Sequence, residues 1–315
     1  MKVLDLFSGC GGLSLGFQNA GHNIVAAYDS WELATQVYSD NFEHPCYCMD
    51  LSNIEASLQQ LRRHEVDIII GGPPCQDFSI AGNRKEKDRA NLTISFANIV
   101  ARLEPQFVVM ENVYNIEKSK SLQEALSTLS QNGYGITKRI VDASLVGVPQ
   151  KRRRFFLVAA KTLPDDAFGP ALDQCLGNTP TTIADYFGNE LGTNYYYAHP
   201  RSYKRRAVFS IDEPSATIRR VNRPIPDTYK KHPADKACVR KDHVRPLTTE
   251  ERSRVQTFPA DYKFSGSKSQ KEELIANAVP PLLGEYLARQ IYSVINDHDL
   301  SLLTKSPKPK ISLRK

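Results

Sequence analysis

The chain has 315 residues, 41% of them hydrophobic and 24% charged, with a formal net charge of +6, which is ordinary for a globular protein. It contains no apolar run of about 18 residues, and its start (residues 1–5) lacks the hydrophobic region of a signal peptide, so we expect a cytoplasmic protein without membrane contacts. The six cysteines are scattered, and Cys46-Tyr47-Cys48 has no His or Cys partner at metal-ligand spacing, which argues against a metal site and a disulfide scaffold.

Residues 1 to about 160 alternate short apolar runs with amphipathic stretches, a pattern typical of βαβ units in a mostly parallel, doubly wound sheet. The predicted strands are Lys2–Phe7, Asn23–Tyr28, Val66–Ile70, Phe107–Glu111, Thr137–Asp142 and Arg154–Ala159. The predicted helices are Leu13–Ala20, Trp31–Asn41, Leu92–Arg102 and Leu122–Asn132. This part of the chain is therefore predicted to have an α/β fold.

The character of the sequence changes between about residues 162 and 245, where prolines recur and helical periodicity disappears. This composition predicts a small unit of turns and short strands. Residues 180–245 carry 13 Lys and Arg against 7 Asp and Glu, a balance of +6 that equals the excess of the whole chain. A basic insert in a neutral body predicts a polyanionic partner, although a merely solvated basic surface would look the same.

Helical signal returns at Thr248–Phe258, where Thr248 or Thr249 would cap the helix, and again between Pro281 and Asp297. We predict a first domain at residues 1–178, a small loop- and strand-rich domain at 179–245, and a return to the first domain at 246–300. Residues 301–315 form a basic tail that we expect to be disordered.

The first predicted strand runs into a glycine-rich turn, Gly9-Cys10-Gly11-Gly12, which would let the backbone approach a ligand closely. Its spacing misses the Gly-x-Gly-x-x-Gly pattern of dinucleotide sites. Asp29 ends the second strand, where an acid can bind ribose hydroxyls. Asp50 follows another short segment, and its carboxylate would accept a hydrogen bond from an adenine amino group. Together these features predict a nucleoside-bearing cofactor without a pyrophosphate.

Cys75 lies in Pro73-Pro74-Cys75-Gln76, directly after the buried strand that ends in Gly71-Gly72. A thiol just past the carboxyl end of such a strand stands where open α/β sheets place their reactive groups. Two prolines fix the backbone beside it. An inert buried cysteine is the commoner role for an arbitrary cysteine, but the neighbouring motifs favour a reactive one.

Glu111 ends another apolar strand at the same predicted sheet edge. Desolvation there would raise its pKa and let it donate a proton, although structural pairing with an arginine is the alternative. In Gln150-Lys151-Arg152-Arg153-Arg154, Arg152 and Arg154 face the same side of an extended segment. They would present two guanidinium groups to a phosphate or a carbonyl oxygen.

Taken in chain order, these motifs resemble those of the cytosine-5 DNA methyltransferase family of the bacterial modification type. The matching stretches are residues 7–12, 72–76, 111–113, 150–154, 245–248, 256–259 and 277–280. The resemblance covers nearly all of the chain except about residues 162–245, over which that family varies its target-recognition region. Departures from the family pattern include Ala276 in place of a usual glycine and Tyr114 in place of a frequent lysine.

The resemblance implies a class I S-adenosylmethionine-dependent methyltransferase fold with S-adenosylmethionine as the cofactor. Residues 1–178 and 246–300 would then be the catalytic domain, and residues 179–245 the target-recognition domain. Trp31 would stack on adenine, although Ser30 aligns equally well there. The residues implied for the cofactor site are Phe7, Gly9, Gly11, Asp29, Trp31, Asp50, Leu92, Asn277 and Val279.

The resemblance also implies the chemistry. Cys75 would attack carbon 6 of a flipped-out cytosine, because carbon 5 is a poor nucleophile until the ring is activated. Glu111 would hydrogen-bond the exocyclic amine and polarise or protonate ring nitrogen 3. Arg154, together with Arg152, would hold the carbonyl oxygen at position 2.

Duplex DNA is the implied partner, bound by a monomer. A restriction endonuclease would be a functional partner without a stable complex. Arg219, Arg220 and Arg223 are candidates for base-edge or phosphate contacts, and Lys204, Arg205 and Arg206 for phosphates. The charged loop Ser79–Arg89 would close over the flipped base, which makes Ser79, with Gln76, a further candidate contact.

Three alternatives compete with this interpretation. An RNA cytosine-5 methyltransferase of the same architecture usually departs from Pro-Pro-Cys-Gln just after the cysteine, and this sequence does not. A catalytically silent DNA-binding homologue is disfavoured by the intact Cys75, Glu111, Arg152 and Arg154. A nicotinamide dehydrogenase would leave the cysteine and arginine motifs unexplained.

Overall fold

The computed structural model describes residues 1–74, 92–202, 204–239 and 243–297. Its central element is a sheet with the strand order β3-β2-β1-β4-β5-β7-β6. These strands are β1 (Lys2–Leu6), β2 (Asn23–Asp29), β3 (Cys46–Cys48), β4 (Ile68–Gly71), β5 (Phe107–Val113), β6 (Tyr134–Asp142) and β7 (Arg153–Lys161). The predicted positions Cys75, Gln76 and Ser79, and the basic tail, lie outside the described residues.

The sheet is parallel from β3 through β5, and β7 runs antiparallel to both of its neighbours. The direction of winding reverses between β1 and β4, which are adjacent although other strands separate them in sequence. In open α/β sheets ligands bind at such a switch point, beyond the carboxyl ends of the strands. The turn after β1 and the segment that leads to Cys75 both start at this edge.

Helices cover both faces of the sheet. Successive residues of a strand point to opposite sides, so each strand contributes side chains to two cores. Val3, Ile70 and Phe156 belong to the core that contains the first and last helices, whereas Leu4 and Phe155 belong to the opposite one. The helices are α1 (Gly12–Asn19), α2 (Glu32–Ser39), α3 (Ile54–Leu61), α4 (Leu92–Leu103), α5 (Lys120–Gln131), α6 (Gly169–Gln174), α7 (Ile183–Phe187), α8 (Thr249–Val255), α9 (Lys268–Asn277) and α10 (Pro281–Asp297).

The structure confirms the doubly wound, mostly parallel sheet and places every predicted strand and helix within a few residues of its expected ends. Thr248 caps α8 through a capping box with Glu251, which decides between the two threonines. The prediction of turns and short strands between about residues 162 and 245 missed α6 and α7. These helices have 6 and 5 residues, too few to show a helical period. Helices α3 and α9 were not predicted.

A second, small sheet of β8 (Tyr195–Tyr197), β9 (Val208–Ser210) and β10 (Arg245–Pro246) confirms the strand-rich character of the insert. Its core also includes Val255 and Ile275, which follow the predicted boundary at residue 245. The insert therefore packs on a core that it shares with α8 and α9, and the domain boundaries stay a prediction. Within the residues described above, no helix is long and apolar enough to cross a membrane.

The first and last helices touch through glycine. A Cβ atom added to Gly16 of α1 would lie 2.5 Å from the Glu285 nitrogen and 2.5 Å from the Pro281 oxygen of α10. Backbone atoms cannot move away as the end of a flexible side chain can. The contact therefore requires glycine at position 16 and sets the separation of the two helices.

We expect Gly16→Ala to lower the free energy of unfolding by about 1–3 kcal/mol, because the methyl group overpacks this contact. Urea unfolding of the purified protein measures the change. Gln18→Ala, at an exposed position of the same helix, is the matched control and should cost far less. Equal stability of Gly16→Ala and the wild type would contradict the close contact.

Candidate active site

The turn after β1 bends through three residues with left-handed backbone angles, at φ +60° for Phe7, +54° for Gly9 and +90° for Gly11. The Asp29 carboxylate braces this turn from the end of β2. Its Oδ2 accepts from the Gly9 nitrogen at 2.8 Å, and its Oδ1 accepts from the Trp31 nitrogen at 2.8 Å. Burial raises the pKa of Asp29.

The far end of the sequence completes the same turn. A Cβ atom at Gly12 would lie 2.1 Å from the Val279 carbonyl oxygen, so the chain after α9 packs directly on the turn. At Gly9, in contrast, a Cβ atom would meet no atom within 4 Å. The turn is therefore closed on one side and open on the other, with an acid at its edge. This shape fits a nucleoside-bearing cofactor.

The structure thus brings together Phe7, Gly9, Gly11, Asp29 and Val279 of the predicted cofactor site. The other predicted positions lie at the carboxyl edge of the sheet, where Asp50 follows β3, Leu92 begins α4 and Asn277 ends α9. Asp50 is exposed, and its Oδ1 accepts from the Ser52 nitrogen at 2.9 Å.

The alternatives for the adenine-stacking residue remain open. The Trp31 side chain is partly buried against a cluster that includes Phe258 and Leu274. Ser30 is exposed. Packing of Trp31 in this cluster fixes the start of α2 whether or not its ring also meets adenine.

Glu111 and Arg154 form a buried ion pair at the same edge. The antiparallel register of β5 and β7 sets Val113 opposite Arg154, which brings the Arg154 Nε within 2.8 Å of the Glu111 Oε1. Only 14% and 11% of the two side chains are exposed. Burial raises the pKa of Glu111 and outweighs Arg154 and Arg152, which lower it. The two expectations for Glu111, a desolvated acid and an arginine partner, therefore hold together.

Arg152 is 2% exposed and lies on the same side of the strand as Arg154, whereas Arg153 between them is exposed and stacks over Tyr114. The Arg152 Nη2 donates to the carbonyl oxygens of Ala276 and Ala278, at 3.0 Å each. Burial lowers the pKa of Arg152, and the charge of Arg154 adds to this effect. Arg152 therefore holds the backbone next to Val279.

The segment that leads to Cys75 is fastened beside Glu111. The Asn112 Nδ2 donates to the Pro73 carbonyl oxygen at 2.8 Å. A Cβ atom at Gly72 would lie 3.4 Å from the Glu111 Oε2. Cys75 follows Pro74 directly in the chain but is outside the part of the chain that the structure describes, so its role stays a prediction.

The predicted DNA-contacting residues differ in their surroundings. Arg206 is paired with Glu213 through two bonds, of 2.9 and 2.6 Å, and stacks over Phe209. Arg219 is partly buried and donates to the His199 carbonyl oxygen. Arg220 lies 3.8 Å from a Glu273 oxygen, and Lys204, Arg205 and Arg223 are exposed.

Several buried polar residues were not predicted. Gln150 and Gln256 are fully buried and bonded to each other, and Arg252 pairs with Glu272 at 2.8 Å. Both glutamines lie inside motifs that the sequence shares with the methyltransferase family, which is the signal that could have found them. Among the described residues, no group of His, Cys, Asp and Glu could hold a metal ion.

Comparisons with known proteins agree with the geometry. The family model described as C-5 cytosine-specific DNA methylase matches residues 1–293. The type II methyltransferase M.HgiDI of Herpetosiphon aurantiacus is 49% identical over 308 residues, covering 98% of this chain and 99% of its own. The type II methyltransferase M.HindV of Haemophilus influenzae is 50% identical over 292 residues, covering 92% and 96%.

Solved structures show the same fold. The Dnmt2 methyltransferase of S. pombe superposes with a TM-score of 0.69 at 19% identity and covers 95% of this chain and 99% of its own. The Entamoeba histolytica methyltransferase EhMeth has a TM-score of 0.69 at 18% identity, with coverages of 94% and 98%. The expected class I methyltransferase fold is confirmed.

We expect Arg154→Met to destabilise the protein by about 3–5 kcal/mol at neutral pH, because it leaves the Glu111 carboxylate buried without a partner. The pKa of Glu111 is already raised above its ordinary value of 4.5 and should rise further. A carboxyl group whose pKa is raised on folding does not lower the free energy of unfolding at a pH below its unfolded pKa. As the pH rises from there towards the folded pKa, the group lowers the free energy of unfolding progressively.

Urea unfolding at a series of pH values tests this expectation, and the loss in Arg154→Met should shrink as the pH falls towards the ordinary pKa of a carboxyl group. Arg153→Met removes an exposed arginine from the same strand and serves as the control. A loss in Arg154→Met that is independent of pH would rule out the uncompensated carboxylate as its cause.

Proposed function

The chain belongs to the C-5 cytosine-specific DNA methylase family and is a DNA cytosine-5 methyltransferase, and from that premise we propose which of its residues carry out the reaction. The family and the fold imply the use of S-adenosylmethionine. The observation that carries the proposal is the buried Glu111–Arg154 pair beside the Gly72–Pro73 segment that leads to Cys75.

Cys75 is the proposed nucleophile. Its thiolate bonds to carbon 6 of the cytosine, and the electron pair of the 5,6 double bond moves towards carbon 5, which becomes nucleophilic. When bound, S-adenosylmethionine supplies an electrophilic methyl group for carbon 5. A base then removes the carbon 5 proton, and elimination breaks the bond to sulfur and restores the thiol. A free thiol has a pKa of about 8.5, so the site must favour its ionisation or couple it to the attack.

Glu111 and Arg154 are proposed to polarise the ring. Glu111 lies where burial raises its pKa, so it can share a proton with ring nitrogen 3 and accept from the exocyclic amine. The Arg154 Nε pairs with Glu111, and its Nη1 donates to the Arg153 carbonyl oxygen. The remaining guanidinium hydrogens would donate to the carbonyl oxygen at position 2 of the cytosine. Both interactions draw charge away from carbon 6.

The cofactor is proposed to lie at the open side of the glycine-rich turn. The Asp29 carboxylate, at the edge of the turn, would meet the ribose hydroxyls, and Asp50 would meet the adenine amino group. Phe7, Gly9 and Gly11 would contact the rest of the molecule from β1, and Leu92, Asn277 and Val279 from the opposite side. The left-handed backbone at Gly9, with open space beside it, supports this placement.

The partner of the insert is proposed to be duplex DNA, read mainly by Arg219, Arg220 and Arg223, with Lys204 and Arg205 on phosphates. Residues 179–245 would be the target-recognition domain and the rest of residues 1–300 the catalytic domain. The target base must be flipped out of the duplex at a cost of a few kcal/mol. We propose a monomer that acts in the cytoplasm, where bacterial DNA lies, with a restriction endonuclease as a functional partner.

Cys75→Ser should abolish methyl transfer to DNA, because a hydroxyl is a far poorer nucleophile than a thiolate at neutral pH. Tritiated methyl transfer from S-adenosylmethionine to unmethylated duplex DNA and, separately, to total transfer RNA measures the activity of both proteins. Cys48→Ser, at an exposed cysteine, is the control. Label on transfer RNA alone would show that the substrate is RNA. Full activity of Cys75→Ser on DNA would show that Cys75 is not the nucleophile.

Arg223→Ala should weaken DNA binding and reduce the slope of log affinity against log salt by about one, as expected for the loss of one phosphate contact. Arg206→Ala should leave the slope nearly unchanged, because the Glu213 carboxylate already neutralises Arg206. Fluorescence anisotropy with a labelled duplex at several salt concentrations gives both slopes. Equal changes of the slope in the two variants would show that pairing with Glu213 does not prevent Arg206 from contacting DNA.

A further inference from the structure

Two buried glutamines connect a recognition segment (residues 215–218 of the insert) to residues 275–279, which pack on the glycine-rich turn. Gln150 precedes β7 and Gln256 follows α8, and both side chains are 0% exposed. They lie 106 positions apart in the sequence, and neither takes part in the reaction proposed above.

The bonds between them form a continuous relay with one polarity. The Ile218 nitrogen donates to the Gln150 Oε1 at 2.9 Å, and the Gln150 Nε2 donates to the Gln256 Oε1 at 2.6 Å. The Gln256 Nε2 then donates to the carbonyl oxygens of Ile275 and Ala278. Because a backbone nitrogen can only donate and a carbonyl can only accept, the two ends of the relay fix the orientation of both amides.

Each end of the relay is also held by the backbone around the active site. At one end, Ser215 exchanges backbone hydrogen bonds of 2.8 Å with Pro149 and Lys151, which ties residues 215–218 to the start of β7. At the other end, Arg152 binds the carbonyl oxygens of Ala276 and Ala278, and the next residue, Val279, abuts Gly12 of the glycine-rich turn. The relay therefore runs from the recognition segment to the backbone that packs on the glycine-rich turn.

Breaking the relay is costly because its members are buried. A buried amide or carbonyl that loses its partner costs about 1–3 kcal/mol, so the position of either segment affects the stability of the other. Both segments lack regular secondary structure at the bonded residues Ile218 and Ala278. A ligand that orders one of them lowers the cost of ordering the other.

We propose that Gln150 and Gln256 are positioning residues that couple DNA binding to cofactor binding. The inference rests on the proposed function, which places DNA at the insert and S-adenosylmethionine at the glycine-rich turn. Coupling of this kind is reciprocal, so each ligand should tighten the binding of the other by the same factor.

The test measures the Kd of S-adenosylhomocysteine by calorimetry without and with a short duplex, and the Kd of the duplex without and with S-adenosylhomocysteine. The duplex carries the site that bisulfite sequencing maps on plasmid DNA methylated by the wild type. We expect the wild type to show mutual tightening of about tenfold.

Gln150→Glu should reduce this factor to about one. The introduced carboxylate still accepts from the Ile218 nitrogen but presents a second acceptor to the Gln256 Oε1, so the middle bond is lost. Once protonated, the new carboxyl can donate to that oxygen, and lowering the pH should restore the coupling in this variant relative to the wild type at the same pH. A merely structural defect would not recover in this way.

Gln150→Met, of similar length and without charge, is the second variant if the first does not fold. It should also lose the coupling and should not recover at low pH. Tyr134→Phe is the matched control, because it removes a buried hydrogen bond, to the Pro105 oxygen at 2.7 Å, that joins neither segment. It should keep the wild-type factor.

The outcomes separate the two proposals. A wild type that methylates DNA and binds both ligands without mutual tightening, or a Gln150→Met variant with the full wild-type factor, would overturn the coupling and leave the proposed function standing. A wild type that neither binds nor methylates duplex DNA would overturn the proposed function and the coupling with it.

Discussion

The site depends on one close contact, between the carbonyl group of Val279 and the α-carbon of Gly12. The carbonyl occupies the space that a side chain at position 12 would need, and Gly16 one turn later meets the backbone of α10 in the same way. Two stretches that are far apart in sequence are thereby held in one structure at the switch point of the sheet. Packing within the protein itself therefore requires glycine at position 12.

Charged side chains are also buried close to that contact, because Arg152 binds the carbonyl oxygen of Ala278, the residue before Val279. Glu111, Arg152 and Arg154 lie together at the edge of the sheet. Burial raises the pKa of Glu111 and lowers the pKa of both arginines, so it favours the neutral form of each group. Such groups cost stability unless each has a partner, and the arginines find theirs in Glu111 and in the carbonyls of residues 276 and 278. The same burial raises the pKa of Glu111, which favours the protonated carboxyl that we propose polarises the cytosine ring.

Much of the fold follows from local sequence patterns. Apolar runs such as Ile68–Gly71 and Phe107–Val113 indicate buried strands, and Thr248 with Glu251 indicates a capped helix. Helices α6 and α7 escape this approach because they are too short to show a period, and α9 because its apolar residues, crowded at its end, form no stripe.

The site was partly predictable for the same reason. Glu111 and Arg154 stand beside strand ends, so a sequence pattern can locate them, and the alternation of a strand puts Arg152 and Arg154 on one side. The Gln150–Gln256 bond and the Arg252–Glu272 pair depend instead on how distant segments pack. A motif can name these residues, but only the packed chain shows what they bind.

The most direct test of the account is to trap the bond between Cys75 and the base. In a duplex with 5-fluorocytosine at the target position, the fluorine cannot leave as a proton does, so the bond to carbon 6 should persist after methyl transfer. Denaturing electrophoresis and mass spectrometry of the digested product would then find one DNA-linked peptide, the one that contains Cys75. Methyl transfer to ordinary DNA without any adduct on the fluorinated duplex, or an adduct on another cysteine, would contradict the account.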